Sequence, residues 1–264
     1  MSNDDPLALL GIARNIAAEA GHMAARMRSD GVSVQATKSS QLDIVTQADV
    51  AVEALIRTRL QKTRPDDGFL GEESGEDEGR SGVTWVVDPI DGTVNYLYGS
   101  PYYAVSIAAM EVGPDGVSRA IAGCVFAPVL GAEYTAAVGH GARLNDNPIR
   151  VNDNVALDRA LISTGFPYDL AKRDRILKSF AALVTQVRDF RLNGAASIEV
   201  CGVAEGRIDG VFLRGLPIWD YAAAALIATE AGAKVTGAND TPPSADLVLV
   251  GNPDLTVAIE AFLY

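Results

Sequence analysis

WVVDPIDGTVNY, residues 85–96, joins an apolar run to two aspartates three residues apart, with a proline between them and Gly-Thr behind. Trp85 to Val87 reads as a buried strand, and the Pro89 ring restricts Asp88 to an extended backbone. A sharp turn after Asp88 is then expected to bring the Asp88 and Asp91 side chains, and the Ile90 carbonyl, to one place. Two carboxylates that close repel unless a cation joins them. Carboxylates, a backbone carbonyl and water form the ligand set of a hard cation, Mg2+ or Mn2+. Gly92 and Thr93 then supply backbone N–H groups at a helix start, where phosphate-like anions bind. Asp, Pro and Gly are also the ordinary residues of a surface turn, so this stretch alone leaves both readings open.

Around it, short apolar runs (TWVV, YYAVSIAAM, AIAGCVFAPV, AEYTAAV) separated by Gly, Pro and Asp predict antiparallel strands in one sheet. Upstream, Asp4 or Asp5 ahead of Pro6 predicts a helix running to Arg28, and Thr46 with Asp49 reads as a capping box opening a second. GVSVQATKSSQLD between them is polar and reads as loop. After about Arg150 strands and helices alternate: ALIST, a helix over 171–187, a helix over 194–206, IDGVFL, the alanine-rich WDYAAAALIATEAG, DLVLVG and a last helix. The expected organisation is an α+β half over 1–150 followed by an α/β half over 151–264, with no Pro/Ser-rich linker between them.

The chain has 264 residues, 48% hydrophobic and 21% charged, which suits a globular protein with a sizeable core. Its 22 basic against 34 acidic residues give a net charge of −12, arguing against nucleic acid and anionic membrane surfaces as partners. Cys124 and Cys201 lie inside apolar stretches and read as buried, inert thiols. The acidic MSNDDPLALL start and the lack of a long uninterrupted apolar window leave a cytoplasmic location as the expectation. The two histidines, His22 and His140, form no ligand-like cluster, and zinc is disfavoured.

Four further carboxylates, in three stretches, have ordinary readings when taken singly. Glu72 and Glu73 in FLGEES read as an acidic loop, Asp220 in WDYAAAAL as a helix N-cap, and Asp49 as part of its capping box. Together, GEES, WVVDPIDGT and WDYAA in this order and spacing resemble the inositol monophosphatase family of Mg2+-dependent, lithium-sensitive phosphatases. The resemblance spans the chain: TKSSQLDIVTQAD, GCVFAPVLGAEYTAAVGHGARLNDNPIRV, STGFPYD and NGAASIEVCGVAEGRIDG match further family segments.

That resemblance implies a layered α-β-α-β-α sandwich, of the type shared with fructose-1,6-bisphosphatase, and a homodimer. It implies up to three Mg2+ ions, with Glu72, Asp88 and the Ile90 carbonyl at the first, Asp88, Asp91 and Asp220 at the second, and a weaker third beside Glu72 and water. Thr93, hydrogen-bonded to Asp49, would orient and help deprotonate the attacking water together with Glu72. Lys38 would lie in a mobile loop near the ions, and Glu73 beside them rather than on them. Asp91, Gly92 and Thr93, then Gly194, Ala195 and Ala196, would line the phosphate and substrate site. The reaction implied is phosphomonoester hydrolysis of a small phosphorylated metabolite by activated water.

One position departs from the pattern. Seven residues before Asp220 the family carries an acidic residue, and here stands Leu213, which cannot accept hydrogen bonds from polyol hydroxyls. Arg214 beside it is expected either as a surface side chain or as a contact to a second anionic group. Specificity is therefore expected to shift away from strict inositol 1-phosphate, toward fructose 1,6-bisphosphate, histidinol phosphate or adenosine 3′,5′-bisphosphate. A regulatory binding protein that keeps the fold is the alternative of another class, and the intact ligand positions favour the enzyme.

Overall fold

The computed structural model describes residues 5–31, 34–37, 44–167 and 169–263. The chain begins with α1 (Pro6–Asp30), the paired strands β1 (Val34–Thr37) and β2 (Ile44–Thr46), α2 (Gln47–Thr63), β3 (Gly68–Gly71) and β4 (Gly75–Asp77). Then follow β5 (Val83–Asp91), α3 (Thr93–Tyr98), β6 (Ala104–Val112), β7 (Ser118–Ala127), β8 (Ala132–Ala137), β9 (Ala142–Leu144) and β10 (Asn147–Pro148). The remainder forms β11 (Leu161–Thr164), α4 (Leu170–Leu183), β12 (Asp189–Arg191), α5 (Ala196–Ala204), β13 (Gly210–Leu213), α6 (Ala222–Glu230), β14 (Lys234–Thr236), β15 (Val248–Gly251) and α7 (Pro253–Glu260).

An eight-stranded sheet runs in the order β10-β9-β8-β7-β6-β5-β3-β4, and a five-stranded sheet in the order β12-β11-β13-β15-β14. Side chains alternate across each strand, so each sheet feeds two cores. Val105, Ile107 and Ala109 of β6 join α1 and α2, whereas Ala104, Ala108 and Met110 face α5 and α6. On the second sheet, Val211 and Leu213 face α5 and α6, while Phe212 and Leu249 meet α4 and α7. The result is α-β-α-β-α, the layering implied at the sequence level. Both faces of each sheet are covered, which is why the strands read as continuous apolar runs.

The alanines of α6 have a packing cause. A Cβ added at Gly123 of β7 would lie 3.0 Å from the Ala223 Cα, so helix and sheet approach at backbone distance. Cys124 and Cys201 are both buried and free. Among the described residues no helix is long and apolar enough to cross a membrane.

Two local expectations need correction. Residues 34–37, read as loop, form a strand that pairs antiparallel with 44–46. Residues 88–91, read as a sharp turn at the end of a strand, remain inside β5, where the pairing with β6 slips between Asp88 and Asp91.

Candidate active site

The slip in β5 is a β-bulge, and it solves a problem of direction. Residues three apart on a regular strand point to opposite faces. One extra residue between the Asp88–Ser106 and Asp91–Ala104 pairs resets the alternation, and Pro89, which has no N–H to give, sits where no ladder bond is required. Asp88 locks the bend by accepting the Ile90 N–H at 2.9 Å. Gly92 then takes φ 89°, ψ 41°, a left-handed turn into α3 that a side chain would obstruct. A Cβ there would meet the Tyr102 carbonyl at 2.9 Å and the Ala195 Cβ at 3.1 Å, so the 92–93 turn is pressed against the 194–195 segment.

Glu72 follows β3, which runs parallel to β5. Its N–H donates to the Val87 carbonyl at 3.2 Å, one residue before Asp88, and Glu72 and Asp88 share a side-chain hydrogen bond. Asp220 ends a single 3-10 turn, Ile218–Asp220, immediately before α6. The Ser106 hydroxyl, opposite Asp88 on β6, donates to the Trp219 carbonyl at 3.3 Å and pins that turn beside the bulge. The N-cap position of α6 is Tyr221, so Asp220 is not the helix cap it resembles in sequence.

Burial pushes the Asp88 carboxyl well above the ordinary carboxylate range, and the charges of Glu72, Asp91 and Asp220 push it further. Burial likewise raises Asp91, to about 6, against the lowering effect of hydrogen bonds from Ser197 and Ala196. Glu72, Asp88, Asp91 and Asp220 thus come from three stretches of chain into one repelling group. With the Ile90 carbonyl nearby, they are the residues able to hold a hard cation. Among the described residues no three His, Cys, Asp or Glu side chains are grouped closely enough to hold an ion by themselves. Asp91 instead directs both oxygens at α5, accepting the Ala196 N–H at 3.0 Å and the Ser197 N–H at 2.7 Å.

Asp49 is buried on the first turn of α2, where its carboxylate accepts the Thr46 N–H at 2.8 Å and the Thr46 hydroxyl. Its other oxygen stands 3.3 Å from Thr93 Oγ1, whose single proton it shares with the Ile90 carbonyl at 3.2 Å. Gly194, at φ 81°, and Ala195 lead into α5. Ala196, in the segment expected to line the substrate site, gives its N–H to Asp91.

Leu213 ends β13 buried at 4% exposure within the central apolar cluster. Arg214, expected on the surface or against an anionic group, is buried: its guanidinium donates to the Asp246 and Leu263 carbonyls, each at 2.7 Å. It ties the C-terminal segment to β13, because a cation under the sheet needs acceptors there. Lys38 lies outside the described residues.

The inositol monophosphatase family model matches residues 5–260. The chain belongs to the inositol monophosphatase family. Inositol-1-monophosphatase SuhB of Mycobacterium tuberculosis is 40% identical over 94% of this chain and 90% of its own length. A protein named Nus factor SuhB, from Vibrio cholerae, is 36% identical over 91% of this chain and 90% of its own. The crystal structure of the extragenic suppressor protein suhB of Bartonella henselae superposes with a TM-score of 0.89 at 34% identity, covering 97% of this chain and 98% of that one.

Three supporting residues of this family member escape the sequence reading. Ser197, fully buried, hydrogen-bonds Asp91 through both N–H and hydroxyl. Asn95 gives its two amide protons to the Tyr102 and Asn193 carbonyls, each at 2.7 Å, closing α3 onto the segment before α5. Glu53, buried on α2, receives the 73 and 74 amides. Ser197 stands one residue inside α5, past its Ala195 N-cap, and neither it nor Glu53 carries a local signal of this role.

Proposed function

We propose that the chain is a Mg2+-dependent phosphomonoesterase acting on a small phosphorylated metabolite, an inositol monophosphate or a related sugar or polyol phosphate. The observation that carries this reading is the convergence of Glu72, Asp88, Asp91 and Asp220, where burial and, after it, mutual repulsion raise Asp88. Such a group weakens a fold unless a cation is its purpose. The donors are hard oxygens without His or Cys, which fits Mg2+ or Mn2+. Glu72, Asp88 and the Ile90 carbonyl would hold one ion and Asp88, Asp91 and Asp220 a second, with a weaker third beside Glu72. When bound, such ions lower the pKa of a water and offset charge on the attacking and leaving oxygens.

The chain's own groups supply the rest. Asp49, held by Thr46, fixes the Thr93 hydroxyl, leaving its lone pairs to accept from the attacking water while Glu72 takes up the proton. The first amides of a helix have no intrahelical acceptor, so those of Gly92 and Thr93 can receive phosphoryl oxygens. Leu213 provides no carboxylate for polyol hydroxyls, which favours fructose 1,6-bisphosphate, histidinol phosphate or adenosine 3′,5′-bisphosphate over inositol 1-phosphate. The reading includes a cytoplasmic homodimer; elution at the size of one chain would count against the assembly.

The test is Mg2+-dependent phosphate release from these four compounds, with folded Asp91→Asn as control. One strongly favoured substrate, lost in Asp91→Asn, is the expected result, and full activity in that variant would remove the metal assignment. The name Nus factor SuhB, carried by the Vibrio cholerae relative, favours a second reading as a regulatory binding protein. No release from any compound by the folded chain would leave that reading in place. A net charge of −12 argues against direct RNA contact even then.

A further inference from the structure

Glu53 occupies the middle of α2 at 2% exposure, and an isolated buried carboxylate is costly unless donors meet it. Its donors are two consecutive backbone amides of the loop after β3. Oε2 accepts the Glu73 N–H and Oε1 the Ser74 N–H, each at 2.8 Å. The preceding amide, that of Glu72, goes to the Val87 carbonyl on β5. Three successive N–H groups of the loop are thus fixed, the first by the strand that carries Asp88 and the next two by one carboxylate.

The residue before Glu72 records how closely Glu53 approaches. A Cβ on Gly71 would lie 2.6 Å from the Glu53 Cδ and Oε2, and 2.5 Å from the Phe69 ring. Only glycine leaves room for that carboxylate. Four residues further along α2, Arg57 donates to the Ser74 hydroxyl at 3.0 Å, pairs with Asp77 and lies over the Phe69 ring. Four residues before Glu53 is Asp49, which receives Thr93. Residues spaced by four share one helix face, so a single face of α2 holds both the loop bearing Glu72 and the turn bearing Thr93.

We propose that Glu53 is a positioning residue for cation binding: by receiving the Glu73 and Ser74 amides it aims the Glu72 carboxylate at Asp88. The inference rests on the phosphatase reading for its consequence in turnover, and on geometry alone for its consequence in metal affinity. A carboxylate is needed because two convergent N–H donors face it. Glutamine would present one acceptor and turn its NH2 toward the other donor.

The experiment uses the full chain, Glu53→Gln, and Glu78→Gln as a control removing one exposed acid from the neighbouring segment. Mn2+ binding is followed by electron paramagnetic resonance, amide exchange at 73 and 74 by NMR, and phosphate release against Mg2+ concentration. In folded Glu53→Gln we expect faster exchange at 73 and 74 and Mn2+ binding weakened about 10- to 100-fold. The Mg2+ needed for half-maximal rate should rise by a similar factor, with kcat at saturating Mg2+ largely kept. Glu78→Gln should match the unsubstituted chain. Faster exchange with unchanged Mn2+ affinity makes Glu53 a structural residue only and overturns the proposal; so does unchanged exchange, or no Mn2+ binding by the unsubstituted chain. Should Glu53→Gln fail to fold, Gly71→Ala, which displaces the carboxylate without removing it, must give the same loss of affinity. A chain that binds Mn2+ in this Glu53-dependent way yet releases no phosphate would refute the phosphatase reading and leave this inference standing.

Discussion

Asp91 caps α5 from the eight-stranded sheet: its carboxylate accepts the Ser197 N–H at 2.7 Å and the Ser197 hydroxyl, while the helix's own N-cap, Ala195, has no polar side chain to offer. Anions are stabilised at a helix N-terminus. The same contact favours the charged form of Asp91 against the burial that raises it, and joins the eight-stranded sheet to the second half of the chain.

Removing that hydroxyl should cost stability before chemistry. Hydrogen bonds to charged groups contribute about 1.5–3 kcal/mol, so Ser197→Ala should lose about 2 kcal/mol in urea unfolding, with the two amide bonds to Asp91 retained. A loss indistinguishable from zero would mean that the hydroxyl does not hold Asp91.

Protons and Mg2+ should compete for the carboxylates. In the folded chain Asp91 is raised to about 6, whereas an unfolded aspartate titrates near 3.9. The folded form thus keeps a proton that the unfolded form releases, and Asp91's contribution to stability falls as pH rises across that window. The sign is opposite to that of a salt-bridged carboxylate. Cation binding needs the ionised form and releases the proton. The rise in Tm on adding Mg2+ should therefore grow from about pH 5 to about pH 7.5, read by thermal melts at fixed ionic strength. A pH-independent Mg2+ effect would separate Asp91 from the cation.

Leu213 is packed among apolar side chains at 4% exposure. Leu213→Glu, which restores the carboxylate the family pattern carries, should be destabilised by about 2–4 kcal/mol, because the new charge enters an apolar cluster. Unchanged urea unfolding would show that position 213 opens to substrate, and the comparison of inositol 1-phosphate with bisphosphate substrates would then be the informative measurement.

What the sequence discloses here follows the range of the physics. The apolar run of β6 announces a strand because its residues are buried on both faces, but the same continuity hides which face meets which helix. The carboxylates of DPIDGT were legible as a pair from spacing and proline, yet the bulge that aligns them depends on the partner strand. Glu53 in VAVEALI has the spacing of an ordinary solvated helix glutamate. Only the arrival of the 73 and 74 amides, supplied by a distant loop, distinguishes it. The burial of Arg214, against the surface reading, is hidden for the same reason: its acceptors, the Asp246 and Leu263 carbonyls, come from the far end of the chain.

Thr93 offers the sharpest separation of chemistry from structure. Its hydroxyl contacts are long, 3.3 Å to Asp49 and 3.2 Å to the Ile90 carbonyl, and the side chain is part-buried at the start of α3. Valine has nearly the same shape without the hydroxyl, so Thr93→Val should leave the fold and Mn2+ binding close to unchanged. Positioned proton transfer contributes about 10²–10⁴-fold, and kcat should fall by about the lower figure. Thr93→Ser, which restores the hydroxyl without the methyl, should recover most of the rate. Equal loss in both variants would assign Thr93 to packing at the head of α3, whereas recovery confined to serine would assign the attacking water to the Thr93–Asp49 pair.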